Sequence, residues 1–89
     1  MILEREVEIF KRTKECMDEI GGYGVENLGK LDEEFISKFK NNMLDLRNMG
    51  FIHISDMMVK FLESGDIKDF IKIEFLLKSM ENQLYKIIN

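Results

Sequence analysis

A chain of 89 residues, 45% hydrophobic and 34% charged, is long enough for one folded domain over 1–89, too short for two separate cores, and too apolar to stay disordered. A net charge of −4 with only three arginines argues against a surface built for phosphate backbones. The single cysteine, Cys16, excludes an internal disulfide and any paired-cysteine zinc or redox motif. That usage suits a reducing compartment, so the expected location is cytoplasmic. No stretch reads as a signal peptide, and the apolar runs fall far short of the roughly 20 residues a bilayer span needs, so no membrane partner is expected.

Proline does not occur, so helices can run long and glycine does the punctuation. The first predicted helix covers 2–20. Leu3, Val7, Phe10 and Met17 form one apolar row and Ile2, Ile9, Cys16 and Ile20 an adjacent one. Glu6 interrupts this stripe, and fraying of the N-terminus is expected to expose it. Gly21 reads as the residue that stops the helix. A glycine-rich acidic connection at 21–30 follows, a flexible link with Tyr23, Val25 and Leu28 tucked against the bundle.

The second helix is expected at 31–49, with Asp32, Glu33 and Glu34 in its first turn, where the dipole favours carboxylates. Its core row is Phe35, Phe39, Met43 and Leu46. Asn42 stands at the side of that row, where an interhelical hydrogen bond is the natural reason to keep an amide. A third helix at 55–64, capped by Ser55 or Asp56, turns Ile54, Met57, Met58, Phe61 and Leu62 inward. Gly65 closes it and Asp66 caps a fourth at 67–88, whose stripe is Phe70, Ile73, Leu76, Leu77, Met80, Leu84, Ile87 and Ile88. A second apolar side, Ile67, Ile71, Phe75 and Tyr85, makes the first half of this helix apolar around most of its girth. The alternation of residues 71–75 also fits a short strand within 70–77, but no turn separates it from the helical pattern that follows.

Four of the six glycines lie between Gly21 and Gly29 and raise the question of a phosphate cradle. Gly22 and Gly24 start a dinucleotide-type spacing, but Gly29 comes two positions too late and a helix precedes, and Lys30 is followed by Leu31, not by a P-loop hydroxyl. Charge decides the matter. Residues 15–34 hold seven carboxylates against Lys30 alone, a balance of −6, whereas the other 69 residues hold ten acids and twelve bases. Any ligand there should be positive. Asp18 and Glu19 sit at the unfavourable, C-terminal end of the first helix, which suggests with Glu26 a docking surface for a basic group.

His53 and Asp56 make at most half a metal site, and Cys16 reads as a small buried hydrophobe. Neither a metal nor another cofactor is expected. The pair of helices at 31–64 resembles a helix-turn-helix in layout, but the outward residues Asp56, Lys60 and Glu63 are poorly suited to DNA. Lys38, Lys40 and Arg47 would have to supply a groove.

These readings converge on an all-α bundle of about four helices that completes its core by self-association as a homodimer. The expected function is a cytoplasmic protein–protein interaction module, an adaptor, regulator or chaperone-like bundle without catalytic activity. Its partner, a protein, would dock on Ile67, Ile71 and Phe75 or on Asp18, Glu19 and Glu26. The alternative is a nucleic-acid-binding regulator using 31–64.

Overall fold

The structure, a computed structural model, describes residues 2–88, with side-chain surroundings for residues 4–83. Four α-helices, α1 (Ile2–Tyr23), α2 (Glu33–Asn48), α3 (Ile52–Ser64) and α4 (Ile67–Ile88), form an all-α bundle, with a 3-10 helix at Val25–Lys30 between the first two. Each helix runs antiparallel to its neighbours. Along α1 and α4, Lys14 meets Glu81 and Gly21 meets Phe70; Cys16 of α1 meets Asn42 of α2. Arg47 of α2 meets Ser55 of α3, and Ser64 of α3 meets Asp69 of α4. The outer helices α1 and α4, each 22 residues or about 33 Å long, set the 39 Å length of a bundle 22 Å across.

The core is the one the periodicity predicts. Ile9, Phe10, Cys16, Met17 and Ile20 of α1 face Phe39 and Leu46 of α2, Ile54, Met58 and Phe61 of α3, and Phe70, Ile73 and Leu77 of α4. Phe61 stands at its middle, with ring centroids 6.5 Å from Phe39 and 5.7 Å from Phe70. Met17 and Met58 are fully buried, and Met43, Met49, Met57 and Met80 pack against the core. Methionine is therefore used here chiefly as filling. The continuations of the stripes through Ile2, Leu3, Leu84, Tyr85, Ile87 and Ile88 lie outside the described side chains.

Three helix boundaries differ from the sequence reading. Gly21 does not stop α1: it keeps a helical backbone with the Phe70 ring 3.4 Å from where its Cβ would stand, and the helix continues through Gly22 to Tyr23. The chain turns instead at Gly24, with φ 94°, where the amide donates to Ile20 O at 2.9 Å and Asn27 Nδ2 covers Tyr23 O at 2.8 Å. The connection is an ordered 3-10 turn, with Val25 buried and Leu28 half-buried, whereas Tyr23 is 68% exposed and not tucked in. Glu6, expected to be freed by fraying, is half-buried within α1.

The second difference is α3, which begins at Ile52 without a side-chain cap. Ser55 is buried and receives Arg47 Nε at 3.4 Å, while Asp56 is ion-paired to Arg47. Phe51 sets the helix start instead, its amide donating to Leu46 O at 2.9 Å and its ring meeting Phe10 edge-on at 5.0 Å. A tertiary contact replaces the polar cap. Two caps follow expectation: Gly65 closes α3 with φ 62°, and Asp66 Oδ1 accepts from Lys68 N at 2.9 Å. Residues 70–77 are helical, which removes the strand alternative.

Asp32 proves to be the cap of α2 and not part of its first turn, accepting from Phe35 N at 2.8 Å. Asp32→Ala should cost about 1 kcal/mol, within the range of about 0.5–2 measured for such caps, read as a lower urea midpoint at unchanged slope.

Candidate functional site

The surface that the core does not explain is the outer face of α4. At 100° per residue, Ile67, Ile71 and Phe75 fall on the side of the helix away from Ile73, which is fully buried. They are 57%, 58% and 73% exposed. The spacing i, i+4, i+8 aligns them as one ridge along the helix. Leu44 and Ile52, the other large exposed aliphatics among the described residues, lie on α2 and at the start of α3. Single exposed apolar residues are ordinary; a ridge of three is not.

Antiparallel pairing of α3 with α4 extends the ridge into a groove. His53 and Met57 of α3 line it with Ile71, Lys72, Phe75 and Leu76 of α4. Sequence reasoning placed the ridge but not the wall opposite it. The four-residue spacing of His53 and Met57, together with the tight turn at Gly65, is the signal that could have found it. The corresponding valley between α1 and α4, lined by Val7, Phe10 and Leu77, is spanned by Lys14 and Glu81 at 3.7 Å. Across α3 and α4 the corresponding pair, Lys60 and Asp69 at 3.9 Å, lies one turn beyond Met57 and Lys72, toward Gly65.

Charge around the groove is positive. Lys68 and Lys72 border the ridge on its α3 side, and among the described residues neither has an acidic partner; Glu74 and Lys78 lie on the other flank, where Lys78 lines the α1–α4 valley with Asp18 and Glu81. Lys60 of α3 stands 3.9 Å from the buried Asp69, whose carboxylate also accepts from Ser64 Oγ at 2.7 Å. Asp56 is taken up by Arg47.

The acidic residues singled out in the sequence do not join this surface. Asp18 lies at the α1–α4 valley with Lys14 and Lys78, Glu19 points a quarter-turn away on α1, and Glu26 is on the 3-10 turn beside Gly24. All three are exposed, and no lysine or arginine among the described residues pairs with them. The carboxylates are scattered, in contrast to the aligned ridge.

The polar groups inside the bundle are satisfied structurally. Asn42 makes the interhelical bond the sequence suggested, Nδ2 donating to Cys16 Sγ at 3.2 Å. Burial pushes the Cys16 thiol up from its ordinary range, more than nearby Lys38 and the Asn42 bond bring it down. A group with a raised folded pKa stabilises fully below its unfolded pKa, so stability should fall as pH climbs above about 8.5. Cys16→Ala should remove that decline, and an aromatic disulfide reagent at pH 8 should label Cys16 only as fast as the bundle opens.

Among the described residues no three His, Cys, Asp or Glu side chains come together as a metal site, and no helix is long and apolar enough to cross a membrane. Of the bases considered for a DNA groove, Arg47 is engaged by Ser55 and Asp56. Comparison with protein-family models, with curated proteins and with solved structures finds no match.

Proposed function

We propose that this protein is a protein–protein interaction module, without catalytic activity, whose working surface is the outer face of α4 and its groove with α3. The observation that carries this reading is the ridge of Ile67, Ile71 and Phe75, exposed in register on a helix whose opposite side is already packed. Apolar surface held out in water costs roughly 25 cal/mol per Å², and a partner that covers it recovers that free energy. The bundle acts as a rigid mount: α4 is fixed by Phe70, Ile73 and Leu77 in the core, so the ridge is preorganised and little ordering entropy opposes docking.

Self-association, which the sequence reading invoked to complete the core, reduces to the same surface, because the described core residues cover one another within one chain. The test is affinity capture with the full chain as bait. Partners held by the wild type should be lost with Ile71→Asp and retained when Glu15, Asp18, Glu19 and Glu26 are changed together to Gln. Retention by Ile71→Asp and loss by the quadruple variant would move the site to the acidic stretch.

A further inference from the structure

The charge pattern around the groove identifies the kind of partner, an inference that rests on the ridge being the docking surface. We infer that the groove takes an amphipathic helix of another protein that presents apolar residues to Ile71, Phe75 and Met57 and carboxylates along the edge that meets Lys68 and Lys72.

Three observations lead there. First, the floor is a straight apolar strip between two antiparallel helices, lined by Met57, Ile71, Phe75 and Leu76, the shape into which a helix packs its i, i+3, i+4 and i+7 side chains. Second, the exposed charges on the α3 side of the ridge are Lys68 and Lys72, unmatched among the described residues, in a chain whose net charge is −4. The Lys72 stem lines the groove while its ammonium can reach water, so it contributes apolar surface and a cation at once. Third, Met57 and His53 supply one adaptable and one half-polar contact on the α3 wall, suited to a helix side chain.

The same pattern disfavours the other occupants. A second copy docked ridge to ridge, antiparallel about a two-fold axis, returns each flank onto itself and sets Lys68 and Lys72 against Lys68 and Lys72. An anionic membrane surface is read by clusters of about four to eight basic residues, and Glu74 sits among Lys68, Lys72 and Lys78 here. A carboxylate-flanked helix meets both the apolar strip and the lysines.

The experiment uses the full chain and two synthetic helical peptides with one leucine stripe, flanked by glutamate in one and by lysine in the other, titrated by fluorescence anisotropy. The acid-flanked peptide should bind about tenfold more tightly at low salt, and the preference should shrink at 0.5 M salt. The variant Lys68→Glu, Lys72→Glu, altered only at exposed positions, should reverse it. Equal binding of both peptides, abolished by Ile71→Asp, would overturn the acidic-partner inference and leave the ridge as the site. Binding unaffected by Ile71→Asp, or none at 1 mM, would overturn the ridge as well. A wild-type dimer dissociated by Ile71→Asp, or capture by phosphatidylserine vesicles in preference to either peptide, would give the groove to a second copy or to a lipid surface and overturn the inference.

Discussion

Phe75→Glu should leave the isolated bundle as stable as before, within about 0.5 kcal/mol, and weaken docking to α4 by about 2 kcal/mol or more, roughly 30-fold. The two expectations come from one fact. Phe75 is 73% exposed, so removing its ring takes almost nothing from the core, and the new carboxylate remains in water. In a complex the same position is the largest apolar side chain of the groove, beside Met57 and Leu76. A carboxylate buried there would lose its hydration, would compete for the Lys72 ammonium three residues before it, and would face the acids of the proposed partner. Thermal unfolding of the isolated protein and a titration with the acid-flanked peptide measure the two halves separately. A melting temperature lowered by many degrees would mean that Phe75 supports the fold.

Phe61→Ala should do the reverse. Phe61 is fully buried between Phe39 and Phe70 and joins α2, α3 and α4 at the centre of the bundle. Truncating a core phenylalanine costs about 3–5 kcal/mol, from lost transfer free energy and the cavity left behind. Against a total of roughly 4–13 kcal/mol for a chain of this length, that is a large share. The midpoint of thermal unfolding should fall by roughly 15 °C or more, and a near-native melting curve would show that the ring cluster is not the centre of the core. One phenylalanine on α4's outer face and one in the core thus divide function from fold.

Much of this division was legible in the sequence because helix periodicity is a local property. α4 has no glycine or proline in its interior, so both its length and its two apolar sides could be read directly, and Ile67, Ile71 and Phe75 stood out as surplus to one core-facing stripe. Asn42 was recognisable as an interhelical donor, although Cys16 as its acceptor depends on how α1 and α2 pack. The errors came where a tertiary contact outweighed a local signal. Gly21 looks like a stop in sequence but stays helical beside Phe70, the left-handed turn falling at Gly24, and Ser55 looks like a cap but is buried beneath Arg47. The α3 wall of the groove was only hinted at by the spacing of His53 and Met57, since these meet Phe75 and Leu76 only after the turn at Gly65 has set the register.

The central claim is that the α3–α4 groove, and no other part of the surface, is the docking site. It is tested most directly by following backbone amide resonances of the labelled protein while the acid-flanked peptide is added. The account predicts shifts concentrated at His53, Met57, Ile71, Lys72 and Phe75, with the α1–α4 valley and residues 15–34 unchanged. Shifts centred on Val7, Phe10 and Leu77, or on Asp18, Glu19 and Glu26, would contradict it.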